Sequence, residues 1–131
     1  MTIRNLDALF HPGSIAVFGA SPTEGALGHV LLSNVLAGGF EGPVFPVNPK
    51  HAEIDGRPCY RDVASLPAAP DLAVFATPPE TIPPLVAELG ARGAGAGVAL
   101  TAGLDEENGL RQAMLDAARP NVFRIVGPNC F

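Results

Sequence analysis

The stretch Ser14-Ile-Ala-Val-Phe-Gly-Ala-Ser-Pro-Thr-Glu-Gly-Ala-Leu-Gly28 decides the fold. Its first part, Ser14 to Gly19, is an uncharged β-type run ended by glycine, which predicts a buried strand. Beyond the glycines, Leu27, Val30, Leu31 and Val35 recur at three- and four-residue spacing. That spacing predicts an amphipathic helix from Ala26 to Ala37, stopped by Gly38-Gly39. Strand, glycine turn and helix together make the repeating unit of a parallel α/β sheet.

The same alternation continues outward. Val44-Phe-Pro-Val47 reads as a second strand, made less regular by Pro46. Residues 49–70 read mostly as connection, with Asp62 capping a short helix through Ser65. Asp71 to Thr77 reads as the third strand. A helix from about Pro79 to Arg92 follows, with Ile82, Leu85, Val86 and Leu89 on one face and Pro83 and Pro84 in its first turn. Gly97 to Thr101 is the fourth strand. Asp105 to Arg119 reads as a helix with acids at its start and a base at its end. Phe123 to Gly127 is the fifth strand. Strands apolar on both faces and alternating with helices predict an α/β fold, a Rossmann-like doubly wound parallel sheet of about five strands. Met1 to Pro12 adds a short helix packed through Leu6, Leu9 and Phe10. There is no internal repeat and no second domain. The chain stops at Phe131, four residues after a strand and at the edge where such sheets bind ligands. The expectation is therefore a single domain over 1–131 that begins a longer polypeptide.

Composition narrows the function. At 131 residues the chain suits one domain with its own core. Eight Lys and Arg against 13 Asp and Glu, a net charge of −5, argue against a nucleic-acid groove, which needs clustered cations. No apolar run approaches the ~18 residues of a membrane span. The N-terminus lacks the apolar core of a signal peptide. Cys59 and Cys130 fit no zinc or redox spacing, which suits two reduced thiols in a cytoplasmic protein. The low charge content agrees with a surface partly covered by further domains.

Ligands of open parallel sheets bind outside the carboxyl ends of the strands. The five exits here are Gly19 to Gly25, Asn48-Pro-Lys50, Thr77-Pro-Pro79, Thr101-Ala-Gly103 and Gly127-Pro-Asn-Cys130. They are rich in Gly, Pro, hydroxyl and amide groups, which suits an extended polar ligand. Gly19, Gly25 and Gly28 let backbone approach a diphosphate at a helix N-terminus. Their Gly-x5-Gly-x2-Gly spacing is not the compact dinucleotide fingerprint, and a purely structural glycine turn is the competing reading. The second exit holds Lys50 where an NAD site would place a carboxylate for the ribose. A ligand with a phosphate on its ribose, NADP or coenzyme A, fits that exchange; an ordinary solvated lysine competes. No catalytic residue emerges. His11, His29 and His51 lack carboxylate partners at readable spacing, Ser21 lacks the nucleophile-elbow context, and nothing activates Cys130. No metal-ligand spacing exists.

Taken in order, Gly19-Ala-Ser21, Phe45-Pro-Val-Asn-Pro-Lys50, Asp71-Leu-Ala-Val, Thr101-Ala-Gly103 and Gly127-Pro-Asn-Cys130 resemble one family. It is the N-terminal CoA-binding domain of the NDP-forming acyl-CoA synthetases, the superfamily of the succinyl-CoA synthetase alpha subunit. The resemblance runs from about Leu6 to Phe131. It implies that the loop of Gly19, Ala20, Ser21, Thr23, Glu24 and Gly25 cradles the CoA phosphates. Glu24 departs from the family pattern, since a carboxylate beside a diphosphate is unfavourable unless it turns to solvent. By the same resemblance Asn48 and Lys50 lie at the nucleotide end, Thr77 and Pro78 line the adenine and ribose, and Thr101, Ala102 and Gly103 follow the pantetheine arm. Asn129 and Cys130 would lie near the thiol end. The implied parent reaction is acid, CoA and ATP giving acyl-CoA, ADP and phosphate. Its phosphohistidine, ATP and magnesium belong to domains this chain lacks, either fused (one variant adds an acetyltransferase domain) or on a partner subunit. Two other readings stand beside this one: an NADP-binding oxidoreductase domain, and a non-catalytic nucleotide- or CoA-sensing module.

Overall fold

A computed structural model of the chain describes residues 12–54, 56–100, 109–121 and 123–126. The expected N-terminal helix, the Thr101 to Gly103 exit, the acids at 105–107 and the final Gly127 to Cys130 exit lie outside the described residues.

The apolar runs pair as one parallel sheet. Its strands are β1 (Ile15–Phe18), β2 (Val44–Val47), β5 (Leu72–Phe75), β6 (Ala96–Ala99) and β7 (Arg124–Val126), in the order β2-β1-β5-β6-β7. Counting only sheet strands, this is the 2-1-3-4-5 order of doubly wound folds, with the switch point between β1 and β5. β1 is paired on both edges, with Ile15 to Phe18 facing Val44 to Val47 on one side and Leu72 to Phe75 on the other. All four β1 residues are buried, as their uncharged sequence requires. Pro46 is tolerated because β2 is an edge strand and needs no inward N–H there.

Helices α1 (Leu27–Ala37), α2 (Ile82–Arg92) and α3 (Leu110–Ala118) cover the sheet. α1 packs Leu32, with Leu31, Val35 and Leu36, on the face of Ile15, Val17, Leu72 and Val74. α2 and α3 pack Ile82, Val86, Leu89 and Met114 on the face of Phe18, Phe75 and Phe123. Opposite faces follow from right-handed crossovers that run one way to β2 and the other way to β5, β6 and β7. The Phe18 and Phe75 rings lie 5.5 Å apart in the second layer. Among the described residues no polar or charged side chain is buried.

Two local readings change. The 49–70 connection contains a small antiparallel hairpin, β3 (Glu53–Ile54) with β4 (Arg57–Pro58), before a 3-10 turn over Val63–Ser65. Two-residue strands carrying Pro and charges leave no period to read. Helix α3 starts at Leu110 after Gly109, whose φ of +75° breaks helical continuity from the preceding chain. Its first turn consequently holds no acid. Asp62 does cap the 3-10 turn, its Oδ1 accepting from the Ser65 N–H at 2.9 Å and the Ser65 hydroxyl at 2.7 Å. Pro83 and Pro84 sit at the start of α2, where no intrahelical donor is lost.

Candidate functional site

The carboxyl ends of β1, β2 and β5 open into one cavity of about 710 Å³. It lies at the switch point, where the diverging crossovers leave a crevice. It is lined by Phe18, Gly19 and Val47 at the strand ends and by Asn48, Pro49 and Lys50 of the β2 exit. Thr77, Pro78, Thr81 and the first turns of α2 line it as well.

Glycine geometry brings the elements this close. A Cβ on Gly28 would sit 1.8 Å from the Gly19 carbonyl oxygen, so α1 can rest on the β1 exit only with glycine there. Gly19 itself, at φ +86°, lies against the Ala76 backbone of the β5 exit. Between them the loop is organised by Ser21, whose Oγ accepts the Thr23 N–H at 3.0 Å. His29 on α1 places Nδ1 3.2 Å from the Ser21 carbonyl. Helix α1 has no capping side chain and no acid in its first turn. Its first N–H groups therefore present the positive end of the helix to the loop.

Asn48 ties two exits together. Its Nδ2 donates to the Ala20 carbonyl and its Oδ1 accepts the Lys50 N–H, both at 2.9 Å. The carboxamide is thus engaged with backbone at both ends, so that it positions the glycine loop and Lys50 relative to each other. Beneath it, Cys59 is buried with its Sγ 3.7 Å from the Asn48 carbonyl. Burial pushes that thiol above its ordinary range, against the weaker opposing effect of the Asn48 hydrogen bond. The hydroxyls of Thr77 and Thr81 lie 2.7 Å apart at the head of α2.

Of the residues the sequence singles out, Gly19, Asn48, Lys50, Thr77 and Pro78 share this cavity. Ala20 is fully buried, and Ser21, Thr23, Glu24 and Gly25 continue from Gly19 without lining it. Glu24 is exposed, consistent with a carboxylate turned to water. Thr101, Ala102, Gly103 and Asn129 lie outside the described residues. Arg61, Asp62, Ala76, Glu80, Thr81, Pro84, Leu85 and Glu88 also line the cavity. Sequence reasoning passed over them because only tertiary pairing brings 61 and the α2 face to the β2 exit. No group of three His, Cys, Asp or Glu side chains among the described residues could hold a metal. No helix among them is long and apolar enough to cross a membrane.

A doubly wound sheet with a switch-point crevice, and a lysine in place of an acidic ribose reader, defines a Rossmann-like ligand-binding α/β domain. The family model described as a CoA binding domain matches residues 13–131, and the chain belongs to that family. It is 41% identical over 131 residues to a trans-feruloyl-CoA synthase of an unknown prokaryotic organism, covering 97% of this chain and 18% of that protein. It is 36% identical over 135 residues to the acetate–CoA ligase [ADP-forming] I subunit alpha of Pyrococcus furiosus, covering 97% of this chain and 29% of that subunit. Among solved structures, the dinucleotide-forming acetyl-coenzyme A synthetase 1 of Ca. Korarchaeum cryptofilum, in complex with phosphate and ADP, superposes with a TM-score of 0.87. That match has 35% identity and covers 96% of this chain and 28% of the other. The chain spans 18% and 29% of the length of these two curated relatives. The two curated relatives are named as a CoA synthase and a CoA ligase subunit.

Proposed function

We propose that this chain binds coenzyme A as the CoA-binding part of an ADP-forming acyl-CoA synthetase. The observation that supports the reading is the cavity at the three adjoining strand exits, lined by Lys50, whose ammonium can pair with a ribose phosphate. In this reading the adenine rests among Val47, Pro78, Pro84 and Leu85. The diphosphate follows the loop of Gly19 to Gly25, toward the uncapped N–H groups of α1. The pantetheine arm continues toward Thr101, Ala102, Gly103 and Asn129. The parent enzyme would join a carboxylic acid to CoA while converting ATP to ADP and phosphate. Its ATP, magnesium and phosphohistidine chemistry would reside in further domains or in a partner subunit, and this chain would contribute no catalytic residue.

Isothermal titration with CoA, dephospho-CoA and NADPH tests the assignment. CoA should bind in the micromolar range, more tightly than either of the others. Lys50→Ala should narrow the gap between CoA and dephospho-CoA by removing a charge-assisted contact, commonly ~1–3 kcal/mol. Equal binding of CoA and NADPH would sink the proposal.

A further inference from the structure

The cavity carries a second cation, placed there by a pairing that lies outside the sheet proper. On the free edge of β2, the Tyr60 N–H donates to the Pro46 carbonyl and the Asn48 N–H donates to the Tyr60 carbonyl, each at 2.8 Å. This parallel bridge of Val47 with Tyr60 carries the chain back alongside the β2 exit. The next residue, Arg61, thereby joins Asn48, Pro49 and Lys50 on the same side of the cavity.

The backbone beneath Arg61 is anchored while its side chain is not. Asp62 spends its carboxylate on the Ser65 N–H and hydroxyl. Arg92 of α2 donates to the Val63 and Leu66 carbonyls, which clamps the turn from the other side. Tyr60 is further held by an edge-on contact with Phe45, ring centroids 5.8 Å apart. Arg61 itself is exposed, and its guanidinium makes no hydrogen bond or salt bridge among the described residues. It is a charge held at the rim by a rigid support.

The remaining charges of the cavity select the ligand group. Glu80 and Glu88 line the cavity from the segment that follows β5. A phosphate beside Glu80 or Glu88 would be repelled, so an anion is favoured beside Lys50 and Arg61, where the Asp62 carboxylate that also lines the cavity already accepts two hydrogen bonds from Ser65. A phosphate monoester is close to doubly charged at neutral pH, and two cations answer it better than one. The planar guanidinium can grip two of its oxygens at once, which an ammonium does not.

We infer that Arg61 is a specificity residue that, together with Lys50, recognises the phosphate monoester on the ribose of the bound nucleotide. This inference rests on the CoA reading above and deepens it, since dephospho-CoA lacks that group and is otherwise the same molecule.

The test is calorimetric titration of the wild type, Arg61→Gln, Arg61→Lys and the Arg61→Gln/Lys50→Gln double variant with CoA and with dephospho-CoA. Arg61→Gln should weaken CoA binding about tenfold. Its affinity for dephospho-CoA should stay within about twofold, which also reports an intact fold. Arg61→Lys should recover part of the loss, and the double variant should bind both ligands alike. If Arg61→Gln weakens both ligands equally, or neither, the assignment of Arg61 is overturned while the CoA reading stands. A wild type that binds neither ligand overturns the CoA reading and this inference with it.

Discussion

Gly28 and Gly25 show how differently two glycines of one loop earn their place. At Gly28 the obstacle is space, because an added Cβ would meet the Gly19 carbonyl oxygen at 1.8 Å. At Gly25 the space is open, with nothing within 4 Å, and only the φ of +88° disfavours a side chain. Gly28→Ala should therefore destabilise the domain at or above the ~1–3 kcal/mol typical of overpacking, by forcing α1 away from the β1 exit. Gly25→Ala should cost only about 1–2 kcal/mol, the penalty of a left-handed residue. Urea unfolding of the two variants compares them, and an equal loss would show that packing of α1 on Gly19 is not what requires Gly28. Asn48 makes a similar point about side chains. Its amide reads as a ligand contact in the sequence, and in the fold it also holds backbone at both ends, with one N–H and one oxygen lone pair still available toward the cavity it lines.

At the level of elements, the connection after β2 shows where reading by pattern stops. Long apolar runs and three- and four-residue spacing carried β1, β5, α1 and α2, because burial imposes a period on the sequence. The hairpin of β3 and β4 and the Tyr60 bridge have no such period, since they are held by backbone hydrogen bonds at an edge. The Asp62 cap was legible because its chemistry is local. Ser65 donates to the Asp62 carboxylate, first through its hydroxyl and then through its N–H, with Arg61 adding a smaller effect. These hold the carboxyl below its ordinary 3.8. A depressed folded-state value means the cap stabilises fully above the unfolded value and loses that effect as pH falls through the folded one. Asp62→Ala should thus melt at a lower temperature than wild type at neutral pH, with the difference shrinking only below about pH 4. A gap of constant size down to acid pH would deny the carboxylate its role.

For the molecule as a whole, the site is shared by three strand exits and one helix, so a ligand there should tie the domain together. A ligand that binds only the folded state stabilises it by mass action, about 2.7 kcal/mol at a hundredfold excess over Kd. For a domain of this size that corresponds to a rise in Tm on the order of 10 °C. CoA at that excess should produce such a shift by calorimetry, and dephospho-CoA at the same concentration a smaller one. Equal shifts would contradict recognition of the ribose phosphate. The apolar layers on both faces, without a buried polar side chain among the described residues, leave the ligand edge as the place where polar groups converge.

By itself the sequence determined the parallel α/β architecture, the glycine turn into α1, the cap at Asp62 and the lysine at the second strand exit. Each depends on neighbours within a few residues or on a burial period, and such information is written along the chain. Tertiary structure alone decided that Arg61, Glu80 and Glu88 line the same cavity as Lys50, and that Asn48 joins two loops. Those relations depend on how β2 is bridged at its free edge and on which face of the sheet α2 crosses. No short-range pattern encodes either, because the residues involved meet only after the sheet has closed around the switch point.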